Sequence, residues 1–592
     1  MARRISGDLL HPQVPVGLLD PTRIRLLPGP WGWVIFLGAA LIPILWTGLH
    51  QEIMEVDSAQ YASMAREMLD GASLTQLTEH GQRYQSRGYP DKPPLIFWTA
   101  ALGMKLIGPT EAGFRFFSWL AAVLGLWAVG NWARLLWGQA SVGPTRWVYA
   151  SNLGMLLMNV DLRTDSLLLS LTSLALWLGH SFMLHRGMPS LIGFTLALAL
   201  ALMAKGPIAA VAVVVGLVPA WPGVERRRRL NIDTQAHAAI RPVRIIPALL
   251  LVIIGVFLLL TPMLWGLYKQ WGWHDGVRYY LWTQSFGRIT GENPWANQPG
   301  PFFLTGSLAW SFLPWTPILL ASIGVAVRSW HADRRNYPGI GALLGLILLT
   351  AALSCSAYQL PHYIYIVWPF AAVLCGRMLS DRPIKRFLWI GHHVILIVLL
   401  LASAGLLALL AAPAVLAFGI GLMGLMGLMG LIAAHFIIRH HFKEINVLLA
   451  RSVAVFTAVA ATLILVFYPT VLPYQAGARA AQFHRSLPTN DPLWILGCGD
   501  ESLHSMHFYS RSIVPAVENP TVLPPSAVWV YTDLKGKMLL EQSDRSSDST
   551  IVFPFTRVTT LKPDFFLPEK REKVVENRYL IHIKPIFAPA LP

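Results

Sequence analysis

Asp91-Lys92-Pro93-Pro94-Leu95-Ile96-Phe97-Trp98-Thr99-Ala100-Ala101-Leu102-Gly103-Met104-Lys105-Leu106-Ile107-Gly108 is the stretch whose reading decides the topology of this chain. Its apolar part, residues 94 to 108, is short for a membrane span, which takes about 20 residues to cross a hydrocarbon core about 30 Å thick. Length does not decide the matter, because several other apolar stretches of the chain are equally short. Charge does. If 94 to 108 crosses, every later loop changes side, and the run Arg226 to Arg229 falls outside together with Arg328, Arg334, Arg335, Arg382, Lys385, Arg386, Arg439 and Lys443. If it lies along the outer interface, all of these are cytoplasmic, as the positive-inside rule requires. We adopt the second arrangement.

Thirteen spans then flank it, near residues 31–49, 112–137, 145–160, 166–184, 189–203, 206–222, 244–264, 302–326, 338–353, 360–379, 387–411, 414–437 and 449–471. The predicted fold class is mainly α, a polytopic membrane protein with a C-terminal soluble α/β domain. Composition agrees: 54% of the 592 residues are hydrophobic and 13% charged, against roughly 25% charged in a soluble domain. The net charge of +16 lies in short runs between apolar segments, so it reads as a topology signal and no nucleic-acid partner is expected. Cys355, Cys375 and Cys498 are too scattered for a disulfide framework. Residues 1–30 are expected to be cytoplasmic, with the first span retained as a signal anchor because no small-residue cleavage site follows a short apolar core.

Residues 31–472 form the expected membrane domain, with outer loops at 50–111, 161–165 and 265–301. Residues 473–592 form the outer-face domain, with a helix at 477–487 and strands at 493–496, 527–531 and 551–555. Glu541 to Ser549 reads as a loop, and 585–592 as a loose tail. The first outer loop holds more acids than bases, and loops of its length obey the charge rule weakly.

This orientation gathers a polar set on one side: Asp57, Tyr61, Asp91 and Lys92; Asp161, Arg163 and Asp165; Lys205; Arg278, Arg288 and Glu292; Tyr358, His362 and Tyr363. Ionisable groups at span ends are costly and imply a wet cavity. Carboxylates mixed with cations suit a reaction in which a base deprotonates an acceptor while cations hold a phosphate leaving group. Glycosyl transfer from a lipid phosphate is such a reaction.

At these residues the chain resembles the bacterial aminoarabinose transferases and related protein mannosyltransferases of the GT-C membrane fold. Asp57 to Leu69 is similar to the family's opening acid and amphipathic helix. Asp91-Lys92-Pro93-Pro94-Leu95 resembles its Glu-Lys-Pro-Pro-Leu signature, and Arg163-Thr164-Asp165 its Arg-x-Asp. Ala204-Lys205-Gly206-Pro207 resembles its Ala-Lys-Gly-Pro turn, and Leu360-Pro361-His362-Tyr363 its Leu-Pro-x-Tyr element. Ser58 stands where the family usually has Glu, Gln359 where it has Lys, and Gly291 to Trp295 where members often show a His-rich stretch.

The resemblance implies an inverting transferase that moves a sugar from undecaprenyl phosphate to a lipid A-like, glycan or protein acceptor at the periplasmic face of a bacterial inner membrane. It implies catalytic roles for Asp57 and Asp165 and substrate binding by Tyr61, Asp91, Lys92, Arg163, Lys205, Arg288, Tyr358 and Tyr363. The carboxylate-rich site also makes a divalent metal ion a candidate cofactor. Membrane lipids are the remaining expected partner.

Structural readings stand beside these. Asp57 suits a helix N-cap, Lys92 a snorkelling interfacial lysine, and Tyr358 an aromatic belt; Arg163 can pair with Asp161 or Asp165. Lys205 lies in a tight turn between apolar helices and needs a phosphate or carboxylate from another loop. Gly421, Gly424, Gly427 and Gly430 suit close helix packing. Cys498, Asp500, His504 and His507 match no strong zinc spacing. A flippase of a lipid-linked glycan is the alternative function, although transporters place ionisable groups near the midplane and often show internal repeats, neither of which is found in the sequence.

Overall fold

A computed structural model describes residues 41–585 apart from 81–85, 230–243, 294–295, 298, 335, 382, 411–443, 499–502 and 544. Among the described residues, seven helices are long and apolar enough to cross a bilayer, nine if each of two bent pairs counts as one. They are Glu111–Trp137, Thr164–His185, Met188–Lys205, Ile245–Thr283, Pro361–Asp381, Arg386–Leu410 and Ile445–Tyr474, with the bent pairs at 208–228 and 303–332. Nine of the thirteen expected spans are thus represented.

The other four each have their own outcome. The first span is described only over its last turns, from residue 41. The span near 414–437, with its glycine repeat, lies outside the described residues. Ile340–Ser354 is a 15-residue helix, about 22 Å long at 1.5 Å per residue. The stretch 145–160 is broken into Val142–Ala150 and Leu153–Val160, because Asn152 caps a new helix by accepting a hydrogen bond from the Met155 amide at 2.9 Å. A second break, bent by 114°, separates Phe303–Ser311 from Thr316–Ala332, where Pro314 has no amide hydrogen to offer a helix.

The deciding stretch forms the 13-residue helix Leu95–Ile107, about 20 Å long and so shorter than the bilayer core. It packs between the helices Asp57–Leu69 and Glu111–Trp137 and leaves Leu102, Leu106 and Ile107 exposed. The approach to Glu111–Trp137 is close: a Cβ on Gly103 would lie 2.2 Å from the carbonyl oxygen of Gly113. The long helix from Ile245 departs from expectation, running on through Gly272 into a π-helical segment, Trp273–Thr283. Much of the region 265–301, expected to be a loop, is therefore helical.

The C-terminal domain follows helix Ala476–Ser486. Its sheet contains β3 (Leu493–Leu496), β4 (Ala516–Val517), β5 (Val528–Thr532), β6 (Ser547–Phe555) and β7 (Glu576–Ile583) in the order β4-β3-β5-β7-β6, while β1 (Thr78–His80) and β2 (Ser86–Gly88) pair as a separate hairpin in the first loop. β6 begins at Ser547, inside the stretch expected to be a loop, because it is an edge strand paired with β7. Its exposed polar start carries no burial pattern to reveal it.

Candidate functional site

The site is built where the ends of several helices meet the first loop. Asp57 opens the helix Asp57–Leu69 but does not cap it, since the capping position is Val56. Its carboxylate instead accepts from Arg163 Nη1 at 2.5 Å, while Arg163 Nε donates to Asp161 Oδ2 at 2.8 Å. Burial disfavours the Arg163 charge, yet the two carboxylates more than offset this and raise its pKa. Ser58 anchors the other side of the group, its hydroxyl donating to Asp161 Oδ1 at 2.8 Å. Arg163 thus pairs with Asp161 and Asp57, and not with Asp165.

Arg115, fully buried, fixes the two chain segments that carry these groups. Its guanidinium donates to the carbonyls of Leu49, Gln51 and Glu52 on one side and of Val160 on the other. Sequence reasoning passed over Arg115, although an arginine inside an apolar span was a sign that it had carbonyls to satisfy.

Lys205 has the carboxylate partner that its turn required. Its Nζ lies 2.6 Å from Asp165 Oδ1, and Asp165 is almost wholly buried, with His362 Nε2 3.8 Å from its other oxygen. The ammonium also sits 4.6 Å from the centre of the Tyr363 ring. Arg288 completes the cationic wall: it donates to the Tyr363 hydroxyl at 2.7 Å and to Gln284 Oε1 at 2.6 Å, and its guanidinium lies 5.6 Å from the Tyr358 ring. That ring contact places Tyr358 beside a cation of the site. Gln284 was not foreseen; it bridges Arg288 to Asp91, donating to the Asp91 carbonyl at 2.9 Å. Tyr279, also not foreseen, donates its hydroxyl to the Asp91 carboxylate at 2.8 Å.

Lys92 makes no direct hydrogen bond or ion pair among the described residues. Burial lowers its pKa, Asp57 and Asp91 oppose that shift, and Lys205 and Arg288 reinforce it. Its charge therefore senses the carboxylates and both other cations together. Tyr61 is buried against Phe97 edge-on, with ring centres 5.6 Å apart. Burial first, and then the Asp57 charge, hold its phenol well above the ordinary pKa. It can donate a hydrogen bond but is a poor base.

A cavity open to solvent lies against part of this set. Asp91, Lys92, Lys205, Gln284, Arg288 and Tyr363 line its polar part, with Leu168, Ile208, Val211 and Ile366 among its apolar walls. Three cations over an apolar trough suit an anion attached to a hydrocarbon chain. Other sequence candidates lie elsewhere. Arg278 and Glu292 pair with each other at 2.8 Å on an exposed surface. His504 lies 3.5 Å from Glu79, and His507 accepts from the Val514 amide. Cys498 is buried in the C-terminal domain, and Asp500 is outside the described residues.

The family described as dolichyl-phosphate-mannose-protein mannosyltransferase matches residues 91–265, which include Lys92, Arg163, Asp165 and Lys205. Curated relatives include two undecaprenyl phosphate-alpha-4-amino-4-deoxy-L-arabinose arabinosyl transferases of Pseudomonas aeruginosa. One, from strain LESB58, is 28% identical over 55% of this chain and 55% of its own length, and one from strain PAO1 is 27% identical over the same shares. The chain spans about half the length of these curated relatives. Two crystal structures of ArnT from Cupriavidus metallidurans, apo and bound to undecaprenyl phosphate, share the fold. Each has a TM-score of 0.65 at 18% identity over 93% of this chain, covering 97% and 98% of the ArnT chain. The chain shares the fold of these ArnT structures. Its apolar helices and the small C-terminal sheet domain are both included in that likeness, which extends over 93% of the chain.

Proposed function

We propose that the protein transfers a sugar from a polyprenyl phosphate, of the undecaprenyl type, to an acceptor at the periplasmic face of a bacterial inner membrane, with inversion at the anomeric carbon. The observation that carries this reading is the cavity wall of Lys92, Lys205 and Arg288, with the partly open carboxylate of Asp57 within electrostatic reach of Lys92. The relatives named for undecaprenyl phosphate-linked aminoarabinose support the donor class, and a lipid A-like acceptor is the first to test, followed by glycan and protein acceptors. The orientation is supported by Arg226 to Arg229, which follow the opposite end of the helix that begins just after Lys205.

Asp57 acts as the base. Arg163 fixes one of its oxygens, and the other takes the proton from the acceptor hydroxyl or phosphate. The acceptor oxygen attacks the anomeric carbon, the bond from that carbon to the phosphate oxygen breaks, and the polyprenyl phosphate leaves with its charge held by the three cations. Asp165 acts through Lys205, which it holds against the Tyr363 ring, and Tyr363 in turn orients Arg288. Asp91 fixes Gln284 and through it Arg288. No step is assigned to a divalent ion, because Asp57 and Asp161 already share Arg163 and Asp165 is already neutralised by Lys205.

The test is transfer from a synthetic polyprenyl-phosphate sugar to lipid A by the purified protein in liposomes, followed by mass spectrometry. Transfer is expected from wild type and lost in Asp57→Asn. An Asp57→Asn protein with wild-type turnover would remove the base from the mechanism.

A further inference from the structure

Gln475 sits one residue before helix Ala476–Ser486, at the position where a side chain usually caps the first turn. It makes no such cap. Its side chain, buried to 2% exposure, turns instead to the first loop. There Oε1 accepts from the Glu55 amide at 2.8 Å, and Nε2 donates to Glu52 Oε1 at 3.0 Å and to the Ile53 carbonyl at 3.1 Å. One side chain at the root of the C-terminal domain thus satisfies three groups within four residues of the loop.

Other groups of the domain reach the same place. The Tyr509 hydroxyl accepts from the Ile53 amide and donates to Glu111, each at 2.9 Å, and the Ser505 hydroxyl donates to Glu55. The loop passes the constraint on, because the Met54 carbonyl accepts from the Ala59 amide at 3.0 Å inside the first helical turn. That turn carries Asp57. On the far side of the helix, Arg66 donates to the carbonyls of His507 and Phe508, tying the Leu503–Ser510 helix to it.

We infer that Gln475 is a positioning residue through which the C-terminal domain sets the location of Asp57. The inference deepens the proposed transfer reaction and rests on Asp57 as its base, but its structural half is measurable without activity. A misplacement of about 1 Å in a reacting group suffices for a large loss of rate.

The experiment uses full-length protein with Gln475→Ala and Gln475→Glu. The second variant keeps the acceptor for the Glu55 amide, loses both donations and sets a carboxylate against Glu52. Hydrogen exchange of the amides of residues 53–65 is expected to rise about tenfold or more in Q475A and at least as much in Q475E, where the new carboxylate repels Glu52, with the membrane helices unchanged. For transfer, kcat is expected to fall about tenfold in Q475A and by at least as much in Q475E, with the donor KM within about twofold of wild type. Unchanged exchange in Q475A overturns the proposal, as does faster exchange with unchanged kcat, or a loss expressed in KM alone. If Q475A does not fold, Q475E alone decides by the same criteria. Wild-type protein that transfers nothing overturns the activity reading, while exchange still decides whether Gln475 holds the Asp57 segment.

Discussion

Two buried ion pairs stand at opposite ends of the same two helices, Thr164–His185 and Met188–Lys205, and they differ in company. At one end Lys205 meets Asp165 at 2.6 Å beside a cavity that also receives Lys92 and Arg288. At the other, Arg186 meets Glu225 at 3.2 Å, sandwiched between the rings of Phe182 and Trp221. Those two rings border a cavity lined wholly by apolar residues and glycine. Burial of charge is therefore no mark of a site in this protein. Convergence of charges from separate segments on one open volume is.

The largest test of that distinction is Asp57→Asn, expected to reduce kcat by about 100- to 10,000-fold, the usual contribution of a general base, with an unchanged melting temperature. Next come the two pairs themselves. Lys205→Met leaves the buried Asp165 carboxylate with the imidazole of His362, 3.8 Å away, in place of an ammonium, and is expected to cost about 3 to 5 kcal/mol of stability as well as transfer. Arg186→Met leaves Glu225 with Arg228 at 2.8 Å. It should cost about 1 to 2 kcal/mol and leave the turnover of the folded fraction intact. Thermal unfolding combined with turnover per folded molecule separates the two.

Much of this contrast was legible in the sequence, and the limits have physical causes. A lysine in a turn between apolar helices must have a partner, so the need of Lys205 was readable. Its identity was not, because Asp165 lies forty residues earlier and equally suited Arg163. His362 was grouped with the site, but its place beside Asp165 depends on the turn before Pro361–Asp381. The break at Asn152 was legible in principle, since an Asn within an apolar run is a helix-start signal, and span length masked it. β7 was missed although Tyr579, Ile581 and Ile583 alternate as a strand should. Gln284 and Tyr279 carried no signal, because polar residues in a stretch read as loop look solvated until a helix aims them at Asp91.

Smaller effects sharpen the cationic wall. Arg288→Ala removes the hydrogen bonds to Tyr363 and Gln284 and is expected to raise the donor KM roughly 10- to 100-fold, the scale of a lost charged hydrogen bond of about 1.5 to 3 kcal/mol. Lys92 should give a pH signature. Its pKa is lowered, chiefly by burial, and its charge, which the proposed reaction uses to hold the phosphate, is lost as pH rises through that lowered value. Donor affinity should weaken on the alkaline side, and Lys92→Arg should move that weakening to higher pH; titration of the donor KM between neutral and alkaline pH reads this. The smallest expected effect is that of a chelator, with transfer rates in EDTA within about twofold of the untreated protein, since the carboxylates are satisfied by Arg163 and Lys205.

The glycine contact between Leu95–Ile107 and Glu111–Trp137 has a consequence for the segment that carries Lys92. Gly103 lies about 12 Å along the helix axis from Leu95, where the helix begins, at the helical rise per residue, and its tightest neighbour is the Gly113 carbonyl. A methyl group there would meet the Gly113 carbonyl at 2.2 Å, so the two helices could not keep their present spacing. Two residues without side chains thus decide how closely the helix that follows directly on Lys92-Pro93-Pro94 can be held against its neighbour.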